Sequence, residues 1–174
     1  MIKKFNEFDI IPDDLLIWVL EHYYTHIKPT KSFNNINISQ SIFNDSKKYL
    51  DESEKLYRGV YFYNKNDYNK LKNKGYVSKG IESWTTDLST ALEFGEGDKS
   101  FILECEINEI NKLLSIDYVI YNISQEQLDR MENIKIHGVE LKKVYDYYLS
   151  ENEVLVFDNL KFVIDKNGKG ILTH

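Results

Sequence analysis

The chain has little of the chemistry on which many small proteins depend. It holds one cysteine, Cys105, so no internal disulfide can form and no thiol cluster can bind zinc or iron and sulfur; a reducing compartment is the expectation. Two prolines and eight glycines in 174 residues leave no flexible linker, collagen-like segment or low-complexity tract, and no internal repeat is visible. Apolar runs are short, as at Leu15 to Leu20, far below the ~18 residues of a membrane-spanning helix. Met1 to Asp9 carries two lysines, but acidic and amide residues interrupt any apolar signal core. No secretion signal is read, and the expected location is the cytoplasm of the producing cell or of a host cell.

What is present describes one soluble globular domain. Hydrophobic residues make up 42% and charged residues 29%, with mean hydropathy -0.47, and a chain of 20.6 kDa can bury about 70% of its unfolded surface without a disulfide or metal. The net charge of -6 is uneven. Residues 1–80 carry 13 basic and 10 acidic groups, and residues 81–174 carry 9 and 18. That second half would repel nucleic acid, and suits either a solvated face or a cationic partner. All but two of the 22 basic residues are lysine, the exceptions being Arg58 and Arg130. Arginine alone offers a planar fork for a carboxylate or phosphate. Arg58 stands in the strand-like run Leu56 to Phe62, whereas Arg130 stands in a polar helix.

Periodicity and punctuation predict helices early and strands later. Pro12 followed by Asp13 and Asp14 opens a helix to about Ile27, with Leu15, Leu16, Val19, Leu20 and Tyr23 on one face. Further helices are predicted over about Ser39 to Leu50, Asp67 to Lys74 with Gly75 as its cap, Leu88 to Phe94, Ser124 to Met131 with a Ser124/Gln127 capping box, and Leu141 to Tyr148. Strands are predicted at Leu56 to Phe62, Ile81 to Thr85, Phe101 to Ile107, Ile116 to Ile120, Lys135 to Val139, Val154 to Phe157, Phe162 to Ile164 and Ile171 to Thr173, with Asn167-Gly168 as the last hairpin turn. The expected class is α+β, a helical part at 1–55 and a β-rich core at 56–174 of one domain.

Three stretches could carry chemistry. In Glu151-Asn152-Glu153 at the start of an apolar strand, i and i+2 spacing puts both carboxylates on one face. Such a pair can serve as counter-charge to an oxocarbenium ion and as base, although a solvated strand start would also carry it. In Ser83-Trp84-Thr85 the two hydroxyls share a strand face, Trp84 faces the core, and Thr86 or Asp87 can cap the following helix. Arg58 is the third. His22, His26 and His137 have no metal-ligand companions at suitable spacing and read as surface or satisfied helix residues. Gly95-x-Gly97 follows a helix and is no nucleotide loop.

Taken in order, Leu56-Tyr57-Arg58-Gly59, then Glu82-Ser83-Trp84-Thr85-Thr86-Asp87 with Ala91 and Phe94, then Ser150-Glu151-Asn152-Glu153-Val154-Leu155, the chain resembles mono-ADP-ribosyltransferases of the arginine / Ser-Thr-Ser / Glu-x-Glu type. The resemblance implies N-terminal helices packed on a split pair of small, mostly antiparallel sheets around a cleft for NAD, which is the substrate; no metal is implied. It implies that Arg58 holds the NAD phosphates, that Ser83 orients Glu153 with Thr85 in support, and that Glu153 bonds the ribose 2′-OH and stabilises the charge that develops as nicotinamide leaves. Glu151 would receive the nucleophile, and glutamate there implies arginine of a target protein as acceptor. Phe94 matches an aromatic on the nicotinamide side, and Tyr148 an aromatic of the target-recognition loop. Trp84 departs from the motif, and no second arginine follows Phe94, which leaves Lys99 as cationic candidate and a modest NAD affinity as the expectation. An effector of a bacteriophage or a delivered toxin domain is the biological setting suggested by analogy. The same chemistry on another side chain, a nucleic acid or water, and a silent binding module with this fold, stay open.

Overall fold

The computed structural model describes residues 10–25, 37–50, 54–78, 80–149 and 152–173. Among them are seven α-helices and ten strands. The first helix, α1 (Asp13–Thr25), has its two aspartates in the first turn, where they face the positive end of the helix dipole. Its apolar residues Leu15, Leu16, Val19 and Leu20 are fully buried. The second, α2 (Gln40–Leu50), buries Ile42 and Phe43, and its Ser46 hydroxyl accepts the amide of Ser115 at 2.6 Å.

The strands are β1 (Lys55–Tyr61), β2 (Tyr76–Val77), β3 (Glu82–Thr85), β4 (Ser100–Glu106), β5 (Leu113–Ser115), β6 (Lys135–Ile136), β7 (Val139–Glu140), β8 (Glu153–Val156), β9 (Lys161–Ile164) and β10 (Lys169–Leu172). Eight of them form one sheet in the order β2-β9-β10-β4-β1-β3-β8-β5, and β6 pairs with β7. All pairings are antiparallel except that of β10 with β4. The expected pair of sheets is therefore one hydrogen-bonded array, but its two parts meet thinly. Seven register pairs join β1 to β4, whereas one, Tyr57 with Thr85, joins β1 to β3.

Both faces of the β8 region are covered, which explains its unbroken apolar run. Leu155 packs with α1, α2 and the later helices, while Val154 and Val156 pack with Leu56, Trp84, Leu103 and Phe162 in a second core. Cys105 belongs to that second core. Burial pushes its thiol up to about 12.

The remaining helices are α3 (Lys65–Lys74), α4 (Leu88–Phe94), α5 (Ile116–Tyr121), α6 (Gln125–Arg130) and α7 (Leu141–Asp146). Two expectations are corrected here. Ile116 to Ile120 is helix α5, not a strand, because Ser115 caps it by accepting the Tyr118 amide at 3.2 Å; the strand is the preceding β5. Lys135 to Val139 is not one strand but a hairpin, reversed at His137 and Gly138, whose φ values of 48 and 87° are left-handed. The Ser124 cap of α6 holds, accepting the Gln127 amide at 3.1 Å. The Gln127 side chain, however, reaches Ile11 O and Asp13 Oδ1, each at 2.7 Å, and so ties α6 to the start of α1.

Candidate functional site

The three motif stretches lie on adjacent strands. Tyr57 of β1 partners Thr85 of β3, and Thr85 partners Glu153 of β8, so residues distant in the chain form one row across the middle of the sheet. Backbone at the end of β3 is also tied to the approach to β8, because the Thr86 amide donates to Asn152 O at 3.4 Å.

Arg58, next to Tyr57, keeps 26% of its side chain exposed. Its Nη1 donates to the carbonyl of Ser83, and its Nε lies 3.6 Å from Glu82 Oε2. Glu82 is buried and accepts the Tyr76 hydroxyl at 2.6 Å. Burial and then this bond push the Tyr76 phenol up to about 12. A guanidinium this shielded requires a counter-charge, and Glu82 supplies it. Sequence reasoning passed over Glu82, although alternation along β3 places a carboxylate on the same buried side as Trp84. That alone signals a partner.

Ser83 and Thr85 share a strand face as expected, with Trp84 in the core. Thr85, not Ser83, stands opposite Glu153; Ser83 is exposed and stands opposite Leu155. The Thr85 hydroxyl is buried and accepts the Asp87 amide at 3.0 Å. Asp87 then caps α4, accepting the amides of Ser89 and Thr90 at 3.0 and 3.3 Å. Hydrogen bonds from the Ser89 and Thr90 hydroxyls, foremost, hold its carboxyl down at about 2. The helix rests on β1 at Gly59, where a Cβ would lie 2.1 Å from Ala91 O and 2.5 Å from Gly95 N. Phe94, at the end of α4, is 71% exposed. Lys99 donates to Tyr63 O at 3.0 Å and lies over the ring of Tyr61.

At the start of β8, Asn152 has a left-handed φ of 52° and the strand runs over Glu153–Val156. Glu151 lies outside the described residues. Glu153 is largely shielded, and its Oε1 is 3.0 Å from His22 Nε2 on α1. The His22 ring is stacked on Trp18, with centroids 5.8 Å apart and planes 14° apart. His22 is thus a satisfied helix residue, as its sequence context predicts, and its partner is the candidate catalytic glutamate. His26 lies outside the described residues; His137 pairs with Glu21 at 3.4 Å.

Tyr148 is half-buried and donates to Asp117 Oδ1 at 2.5 Å. Burial, then this bond, push its phenol well above the ordinary tyrosine range. Its ring packs edge-on against Tyr23 at 4.7 Å. Tyr23 in turn donates to Tyr147 O at 3.4 Å and accepts the Leu149 amide at 3.2 Å. Tyr148 and Tyr23 therefore anchor the chain at Tyr147 to Leu149, where the side chains of Tyr147 and Leu149 are exposed. A pocket of about 210 Å3 beside it is lined by Tyr23, Tyr24, Val139, Val144 and Tyr147, and none of the motif residues lines it.

Among the described residues no cluster of three His, Cys, Asp or Glu side chains could hold a metal ion, and no helix is long and apolar enough to cross a membrane. Comparison with protein-family models, with curated proteins and with solved structures gave no match to this chain.

Proposed function

We propose that the chain is an NAD-dependent mono-ADP-ribosyltransferase acting on arginine of a target protein. One observation carries the reading: Arg58, the Ser83/Thr85 strand and Glu153 stand on three neighbouring strands, with Tyr57, Thr85 and Glu153 in one row. A fork for phosphate, strand hydroxyls and a shielded carboxylate are what glycosyl transfer from a dinucleotide needs together. The thin join between β1 and β3 is where the two halves of a split sheet would part around a cleft.

The residues present fit the dinucleotide. Arg58 is fixed by Ser83 O and Glu82 yet keeps an exposed edge that would receive the phosphates, and Phe94 offers an exposed ring for the nicotinamide side. NAD supplies the activated ADP-ribosyl group. Glu153 would bond the ribose 2′-OH and stabilise the positive charge that grows as the C1′–N bond breaks and nicotinamide leaves with the electron pair. A guanidinium nitrogen of the target forms the new bond to C1′, and Glu151 takes the proton that nitrogen loses. Tyr148 serves target recognition through the segment it anchors, presenting Tyr147 and Leu149. Eighteen acidic against nine basic groups in residues 81–174 make a cationic target side chain a suitable partner, and a nucleic acid a poor one.

A second reading, a non-catalytic binding module, has one observation in its favour: Glu153 and Arg58 already have protein partners. Incubation with labelled NAD and a bacterial lysate separates the two. The enzyme labels proteins, Glu153→Gln does not, and Glu151→Gln loses protein labelling while nicotinamide release stays above that of Glu153→Gln. No labelling and no nicotinamide release from the wild type favours the binding module.

A further inference from the structure

The proposed reaction accounts for Glu153 but not for the imidazole against it. His22 lies three residues beyond Val19 and four beyond Trp18 on α1, on a helix whose neighbouring side chains Trp18, Val19 and Leu20 are all core. An apolar residue would fill such a place more cheaply, since a shielded polar group costs free energy unless it is paired. His22 is paired, and with a carboxylate 131 positions away. Both side chains are shielded to a similar degree, 17% and 18% exposed, so the contact is protected from the solvent competition that makes exposed pairs weak.

The ring has little freedom to turn away. Trp18 stacks on one of its faces. The helix beneath it is held at its start by Gln127 on Ile11 O and Asp13, and toward its end by Tyr23, whose hydroxyl bridges Tyr147 O and the Leu149 amide. Strand β8 is fixed on its other side by the ladder with β3. The His22–Glu153 distance is therefore set by two anchored elements, which is the arrangement a pre-oriented catalytic group needs.

Resting on the reading of Glu153 as the catalytic glutamate, we propose that His22 is a positioning residue: its Nε2–H donates to Oε1 and holds the Glu153 carboxylate in the orientation that meets the reacting ribose. The helical N-terminal part is then a component of the site and not only a support for the sheet. This role differs from the one expected of Ser83, which stands opposite Leu155.

The test compares wild type, His22→Ala, His22→Gln and Glu153→Gln in nicotinamide release from NAD, with thermal unfolding of each. Removing the donor is expected to lower kcat about 10- to 100-fold, the size of a lost hydrogen bond to a charged group, with KM for NAD within about twofold because ground-state binding rests on other residues. Glutamine, an amide donor of similar reach, is expected to restore most of the rate. In the double variant His22→Ala, Glu153→Gln the two losses should not multiply, since the first acts through the second. A wild-type kcat in folded His22→Ala, failure of glutamine to rescue, or losses that multiply would each overturn the role of His22 while leaving Glu153 in place. Absence of turnover in the wild type would instead overturn the enzymatic reading and the positioning role with it. A readout independent of folding of the alanine variant is the ring 15N spectrum at neutral pH: His22 is expected to show a protonated Nε2 whose resonance moves in Glu153→Gln, and an unprotonated Nε2 would contradict the proposal.

Discussion

Arg58 and Glu82 form an ion pair at 3.6 Å, with the carboxylate nearly closed off from water and the guanidinium about three-quarters so. Replacing Glu82 with alanine leaves the guanidinium without its counter-charge and the Tyr76 hydroxyl without its acceptor. The expected cost is about 2–4 kcal/mol of folding stability, read by urea denaturation. KM for NAD is expected to rise, since Arg58 is then held by the Ser83 carbonyl without the Glu82 carboxylate. Glu82→Gln keeps an acceptor for Tyr76 and should cost less.

Gly59 lets α4 lie on β1. A methyl group there would sit 2.1 Å from Ala91 O, 2.5 Å from Gly95 N and 2.9 Å from Phe94 C, all backbone, so no rotamer change relieves the clash. Gly59→Ala is expected to push α4 outward and to destabilise the fold by about 1–3 kcal/mol or more. Amide chemical shifts of Ala91 to Gly95 should move together. A variant as stable as wild type with unmoved shifts would contradict this packing.

Tyr148→Phe removes the donor to Asp117 and is expected to cost about 1–3 kcal/mol, because the carboxylate it serves is buried. The sign with pH follows from the phenol's upward displacement from 10.0 in the folded chain. An acidic group that gives up its proton less readily when folded adds no pH dependence below its unfolded value, and lowers stability as pH rises past it. The wild type should therefore lose stability above about pH 10, and Tyr148→Phe should lose less over the same range.

Asp87 shows the opposite sign. Its carboxyl lies at about 2 in the folded chain against 3.8 ordinarily, chiefly through the hydroxyls of Ser89 and Thr90. The contribution of its charge to stability is fully present above 3.8 and disappears as pH falls through about 2. Asp87→Asn should melt below wild type at neutral pH, and the gap should close between those two values. A gap unchanged down to pH 2 would contradict the assignment.

Local chemistry made much of this architecture legible from the sequence. The Asp87 cap, Gly75 after α3 and the Asn167-Gly168 turn are signals contained within a few residues, and each stands where expected. Residues 113–121 were not legible in that way. Every side chain from Leu113 to Ile120 is buried, so neither a period of two nor one of 3.6 is expressed, and the boundary between β5 and α5 rests on the Ser115 cap alone. The site divides similarly. Arg58, Ser83, Thr85 and Glu153 were visible as ordered motifs, whereas Glu82 and His22 take their meaning from partners on other elements. A 131-residue separation between His22 and Glu153 leaves no pattern in the chain to read.

The most direct test of the account is nicotinamide release from NAD by the purified protein, measured beside Glu153→Gln at matched folding. The account predicts turnover in the wild type and a loss of at least about a hundredfold in the variant, the scale of removing one stabilising group for developing charge. Equal release from both proteins, or none from the wild type, would contradict it.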